Sequence, residues 1–222
     1  MYSKKYKYLV KYNAKSACTL IRKLFLELHK NELTKSPKRD YHDIHFDFPY
    51  TNNSIIKKKI HIVRNPYKRV VSMFTEKYIG KKNTLHNVIK LNKHTFYEFV
   101  KSLYNTNPDN IKDSHVKKQS RIYESNDIII KCENLNDNLL KFYKEFNDEL
   151  YVKVNTFFTE NINVNKTPRN DTKIYVYDTV YEPGIDRSWP DYKYFYNDEI
   201  KNMVYEIYKE DFINFNYDKD SI

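Results

Sequence analysis

Residues 13–19 read Asn13-Ala14-Lys15-Ser16-Ala17-Cys18-Thr19, a run of small and polar side chains holding one ammonium and two hydroxyls. Apolar residues precede it at Tyr8, Leu9 and Val10, and from Leu20 they recur at helical spacing through Ile21, Leu24, Phe25 and Leu28. A strand that turns sharply into a helix leaves the first helical N–H groups facing whatever lies above the loop. The helix dipole, those amides and Lys15 all favour negative charge, so phosphate or sulfate is the expected anion. A second cationic turn follows the apolar run 60–63: Arg64 closes it, and Asn65-Pro66 opens a helix carrying Arg69 and Ser72. Ligands of parallel α/β sheets bind beyond the carboxyl ends of the strands. Two such turns therefore suit a ligand with two anionic ends. The run YHDIHFDF at 41–48 supplies the candidate general bases, His42 and His45. On strand alternation His42 shares a face with Ile44 and Phe46, and His45 shares one with Asp43 and Asp47. A strand histidine satisfied by a carbonyl is the competing account. No Cys, Asp or Glu lies at ligand spacing elsewhere, which disfavours a zinc site built from these two.

The elements that must hold these residues alternate along the chain. Strands are expected at 8–10, 41–48, 60–63, 128–130 and 151–155. Helices are expected from Leu20, from Pro66 (with Val70, Val71, Phe74 and Tyr78 as one stripe), from the capping box Thr95-Phe96-Tyr97-Glu98, from Leu135, and from Asn197-Asp198-Glu199. Segment 114–123 is ambiguous, and 174–181 is extended or helical. Strands alternating with helices predict an α/β protein of three layers, a central parallel sheet flanked by helices with right-handed crossovers. No repeat or linker divides the chain, so a single domain over 1–222 is expected.

The 222 residues carry a formal charge of +10 at a pI of about 9.2, which suits polyanionic partners such as nucleic acid, anionic polysaccharide or a nucleotide, or else a solvated lysine surface. Two glycines in the whole chain argue against the Gly-rich nucleotide loops, and 22 tyrosines mean that much of the core must also satisfy hydroxyls. Lys, Asn, Ile and Tyr, all with AT-rich codons, are abundant, which fits an AT-rich genome such as a virus or parasite. Two cysteines, Cys18 and Cys132, imply no disulfide framework, and packing under the loop is the default role of Cys18. No run approaches the ~20 apolar residues of a membrane span, and the first strand starts almost at Met1, which points to a soluble, cytoplasmic chain.

The residues also match a known family. The loop 13–19 resembles the 5′-phosphosulfate loop of sulfotransferases, and HIVRNPYKRVVSMFTEKY at 61–78 resembles their 3′-phosphate motif in the form used by Golgi carbohydrate sulfotransferases. Weaker likeness continues in SHVKKQ (114–119), IIIKCENL (128–135) and YKEDFINFNY (208–217), so it covers most of the chain. The resemblance implies a sulfotransferase fold related to that of P-loop nucleotide hydrolases and a donor, 3′-phosphoadenosine 5′-phosphosulfate (PAPS). It implies in-line transfer to a carbohydrate hydroxyl, anionic glycans included, with adenosine 3′,5′-bisphosphate as product and no metal or nucleic acid involved. On that reading Lys15 holds the transferring group, and the 13–19 loop, with Asn13, Ala14, Ser16, Ala17, Cys18 and Thr19, binds the 5′ end. Arg64 and Ser72 take the 3′-phosphate. His42 and His45 match the histidine segment of uronyl 2-O-sulfotransferases, with one residue more between them. Arg69, His115 and Gln119 are candidates for the acceptor side, Arg69 being either structural or substrate-facing, and Glu133 matches an acidic residue read as structural. Asn13-Ala14 stands where the family has proline before the lysine, and Asn65 where it has aspartate. The carbohydrate relatives lie in the Golgi lumen behind a membrane anchor, the compartment expected if this chain is part of a longer one.

Three rivals remain at this level, one of them a degenerate member of the same family that binds nucleotide without turnover. A P-loop kinase shares the strand–loop–helix unit but needs a glycine-rich loop that 13–19 lacks. A basic nucleic-acid-binding protein explains charge and tyrosines and leaves the Arg64–Ser72 pattern as coincidence.

Overall fold

In the computed structural model, residues 1–30, 56–81, 84–160, 168–185 and 187–222 are described. The chain forms two compact units, Met1–Val63 with Ile122–Asn165, and Arg64–Arg121 with Lys166–Ile222.

The first unit carries a four-stranded sheet in the order β1 (Tyr2–Ser3), β2 (Tyr8–Tyr12), β3 (Lys58–Val63), β4 (Ile128–Lys131). β2, β3 and β4 are parallel, as expected, and the two-residue β1 adds an antiparallel edge. In the register Val10–Ile60–Ile128 and Tyr12–Ile62–Ile130, one face is apolar. It packs on α1 (Cys18–His29), α4 (Leu135–Phe146) and α5 (Asp148–Glu160) through Leu24, Phe25, Leu139, Phe142, Val154 and Phe157. Tyr8 is wholly enclosed there, so its hydroxyl must be satisfied internally. It lies 2.6 Å from His29 Nε2 and accepts from the Tyr143 hydroxyl at 3.0 Å. The opposite face of the same strands presents Lys11, Lys59 and His61.

One expected strand is a helix. Residues 151–155 lie inside α5, although Tyr151, Val152 and Val154 are strand formers by propensity. Packing decides: Leu150, Val154, Phe157 and Phe158 fall on one helical face and are buried. The Asn147 side chain accepts from Leu150 N at 3.0 Å, and Asp148 and Glu149 follow in the first turn, a complete helix start. The expected strand at 41–48 lies outside the described residues.

In the second unit α2 (Pro66–Met73) starts as its sequence predicts, with the Asn65 side chain accepting from Tyr67 N and Lys68 N and proline in the first turn. It runs on into a single wider turn, Phe74–Tyr78, closed by Ile79 N donating to Phe74 O at 2.8 Å. Gly80 ends it, where a Cβ would stand 2.6 Å from Thr75 O. α3 (Phe96–Thr106) opens on Thr95, whose hydroxyl accepts from Glu98 N. α6 (Asp198–Ile207) and α7 (Lys209–Asn214) complete the unit, α7 being a helix the periodicity had not marked off from α6. Phe74, Phe96, Phe99, Trp189 and Phe195 form its aromatic centre. Here the buried tyrosines spend their hydroxyls on carbonyls: Tyr196 on Tyr67, Tyr208 on Val116. Segment 174–181 is irregular, neither strand nor helix.

Candidate active site

β2 ends at Tyr12, and the chain reaches the first turn of α1 through Asn13–Ala17. Asn13 and Ser16 are buried, and Ala14, Lys15, Ala17, Cys18 and Thr19 are half-buried. Ser16 N donates to Asn13 O at 3.1 Å, closing a tight turn. Lys15 (φ 68°) and Ala17 (φ 55°) are both left-handed, a conformation L side chains resist. Ala17 precedes Cys18 at the helix start and brings no side-chain cap to the first N–H groups. Successive amides turned inward around left-handed residues at a helix N-terminus make a concavity that favours an anion. The loop expected from sequence is thus built without glycine.

Its first residue is anchored to the neighbouring strand. Asn13 Nδ2 lies 3.1 Å from Nε2 of His61, in the middle of β3 and fully enclosed. Asp127, just before β4, stands 3.7 Å from His61 Nδ1 and is itself held by Lys11 at 3.0 Å. Lys11 also donates to Ile122 O and pairs with Glu124, which Lys59 meets from the other side. Burial pushes the His61 imidazole down to about 4; Asp127 opposes that shift and Lys11 adds to it. The ring is therefore neutral at pH 7. On α1, Arg22 Nε donates to the Tyr12 hydroxyl at 2.6 Å, tying the helix back to the end of β2.

In the second unit Arg64 is half-buried, and its backbone is gripped at both ends: Arg64 N donates to Gln119 Oε1 at 2.9 Å and Gln119 Nε2 donates to Arg64 O at 2.8 Å. Gln119 is wholly buried. Its own N–H donates to Asp211 Oδ2 at 2.9 Å, and Ser120 N donates to Asp211 Oδ1 at 2.7 Å. Burial raises the Asp211 carboxyl, against the pull of Arg69 and of the Gln119 and Ser120 N–H groups. Arg69, one of the largest enclosed side chains, donates through Nη2 to the carbonyls of His115 and Lys117 at 2.9 and 2.7 Å. Burial lowers its pKa. Ser72, buried, donates to Glu76 Oε1 at 2.9 Å. His115 is partly exposed, with Nδ1 2.6 Å from Asp113 Oδ1.

A model described as that of the sulfotransferase family matches residues 1–218. The chain belongs to the sulfotransferase family. No curated protein and no solved structure matches it. The parallel strands with helices packed on them give this sulfotransferase an α/β fold of the family's kind. Among the described residues no group of three or more His, Cys, Asp or Glu could hold a metal ion, and no helix is long and apolar enough to cross a membrane.

The site residues separate by unit. Residues 13–19 are brought together in the first, and Arg64, Arg69, Ser72, His115 and Gln119 in the second. Arg69, expected as structural or substrate-facing, and Gln119, expected on the acceptor side, are enclosed and bond to backbone, Arg69 to the carbonyls of 115 and 117 and Gln119 to Arg64. Glu133 is exposed in the turn Cys132–Asn134. His42 and His45 lie outside the described residues. Sequence reasoning missed His61, Asp127 and Asp211. A histidine inside the apolar run 60–63 was the one available signal for the first; nothing local marks Asp211, whose partners lie 91 and 92 residues away.

Proposed function

We propose that this sulfotransferase moves the sulfuryl group of PAPS to a hydroxyl of a carbohydrate, releasing adenosine 3′,5′-bisphosphate. The observation that carries the donor is the glycine-free loop 13–17, with Lys15 in a left-handed turn at the start of α1, in a chain matching the family over residues 1–218. Residues 1–222 act as one catalytic domain, since that match runs through both units. The loop amides with Ser16 and Thr19 bind the 5′-phosphate. Lys15 sits where negative charge grows on the bridging oxygen as the sulfur–oxygen bond breaks. Arg64 forms a charge-assisted fork to the 3′-phosphate with Ser72 as second donor. Gln119, Asp211 and Arg69 hold the backbone that carries Arg64 and His115.

The acceptor oxygen attacks sulfur in line as the bond to the leaving phosphate breaks, and its proton passes to a histidine, His42 or His45. A carbohydrate acceptor is supported by the likeness of 61–78 to the carbohydrate branch, and an anionic glycan by the charge of +10. His115, partly exposed, serves the acceptor side.

The test is transfer from labelled PAPS to a panel of glycans, small phenols and tyrosine peptides, with calorimetry against adenosine 3′,5′-bisphosphate, ATP and a short oligonucleotide. Label in glycan and magnesium-independent bisphosphate binding are expected. Magnesium-dependent ATP binding without bisphosphate binding overturns the donor, and label in phenols or peptides alone overturns the acceptor. Exchanging the true base for alanine should cost about 10²–10⁴ in rate at nearly unchanged nucleotide affinity. If neither His42→Ala nor His45→Ala does so, the base lies elsewhere.

A further inference from the structure

We propose that His61 is a positioning residue of the donor site: from the middle of β3 it holds the Asn13 side chain and thereby the shape of the anion loop. The inference rests on the donor reading above and adds to it a residue that touches no substrate.

The geometry is a chain of contacts inside one unit. An amide nitrogen can only donate, so the 3.1 Å contact from Asn13 Nδ2 requires Nε2 of His61 to accept. The ring proton then lies on Nδ1, the side that faces the Asp127 carboxylate. Asp127 is fixed in turn by Lys11 from β2 and by accepting Glu124 N at 2.9 Å. At 3.7 Å that carboxylate lies beyond hydrogen-bond reach of Nδ1 and acts on the ring through its charge, while Nε2 orients a third group. Here the third group is the residue where β2 releases the chain into the loop, and its carbonyl accepts from Ser16 N to close the turn.

The loop needs such an anchor because Lys15 and Ala17 adopt left-handed backbone without the glycine that would make it easy. Anchoring Asn13 to a central strand limits where the strained residues can relax. A neutral ring is required, since a doubly protonated one offers no acceptor to the amide.

The experiment uses the full chain and three exchanges: His61→Leu, which keeps bulk without an acceptor, His61→Gln, which keeps one, and Asn13→Ala. Dissociation constants for adenosine 3′,5′-bisphosphate are read by calorimetry, and KM for PAPS and for the acceptor from transfer assays. His61→Leu should weaken bisphosphate binding about tenfold, the scale of one buried hydrogen bond. His61→Gln should recover most of it, and the double variant with Asn13→Ala should bind no worse than the weaker single variant. KM for PAPS should rise with acceptor KM unchanged. Bisphosphate binding by His61→Leu equal to that of the unaltered protein, or full additivity in the double variant, overturns the inference. No bisphosphate binding by the unaltered protein overturns the donor reading and this inference together. Should His61→Leu fail to fold, nitrogen NMR of the ring decides: Asn13→Ala should shift the His61 Nε2 resonance, and an unmoved resonance overturns the proposal.

Discussion

Lys15 contributes a left-handed backbone and an ammonium to one loop, and the two contributions can be separated. Lys15→Met removes charge and leaves an unbranched stem, so turnover should fall about 10²–10³-fold, the cost of losing one preorganised contact to developing charge. Bisphosphate affinity, measured by calorimetry, should fall much less. Arg64 makes a different demand, because its proposed target is one phosphate at the far end of the nucleotide. PAPS and adenosine 5′-phosphosulfate differ only in that phosphate. Arg64→Ala should raise KM for PAPS about 10- to 100-fold and leave the poorer substrate untouched, as expected for a charge-assisted hydrogen bond. An equal loss for both donors would place Arg64 elsewhere. The positions of both residues were legible in the sequence: Arg64 follows β3 directly, Lys15 lies three residues past the end of β2, and each precedes a helix start.

At the scale of elements, the helix starts carry the proposed site, and they are what local sequence encodes best. Asn65 accepts two amides of α2 and donates to Ser221 at 3.1 Å, so it fixes both the helix and the residue before it. Asn65→Ala should lower stability by about 1 kcal/mol in chemical denaturation, whereas Asn65→Asp should keep the cap. β2, β3, β4 and the helices beginning at Pro66, Phe96, Leu135 and Asp198 could be read from period and cap alone. α5 could not: Tyr151, Val152 and Val154 favour a strand over any five-residue window, and only the longer window to Phe158 shows the helical face. The enclosure of Gln119 was equally illegible, and for Arg69 the sequence offered a structural role without its partners. Their partners come from segments 46 to 92 residues distant, and contacts at that range leave no local pattern.

At the scale of the whole molecule, His61 ties the anion loop to global stability through pH. Its ring is buried neutral with pKa pushed down to about 4, against an ordinary value of 6.5. Lys11 from β2 and Asp127 and Tyr123 from the segment before β4 face it, with Lys59 and Glu124 along the same sheet face. In the unfolded chain the ring gains a proton below pH 6.5, and in the folded chain only near pH 4. Stability is therefore complete above pH 6.5 and declines as pH falls toward 4, by roughly 3 kcal/mol from this group. Unfolding midpoints measured between pH 4 and 7.5 should show that slope, and in His61→Leu it should flatten by the same amount. A slope unchanged in the variant would assign the acid sensitivity to other groups.

The shortage of glycine has a consequence for how this chain can be improved. Lys7, Lys15, Ala17, Asn107 and Asn216 occupy left-handed backbone that glycine usually takes. Each is a reserve of roughly 1 kcal/mol that a single exchange to glycine can release, though at Lys15 the exchange would remove the ammonium and at Ala17 it would loosen the anion loop. Outside the loop, Asn107 and Asn216 are the residue type that tolerates the conformation best, which leaves Lys7, in the turn between β1 and β2. Lys7→Gly is thus a route to a hardier enzyme that touches neither core nor catalysis, readable as a melting temperature higher by a few degrees.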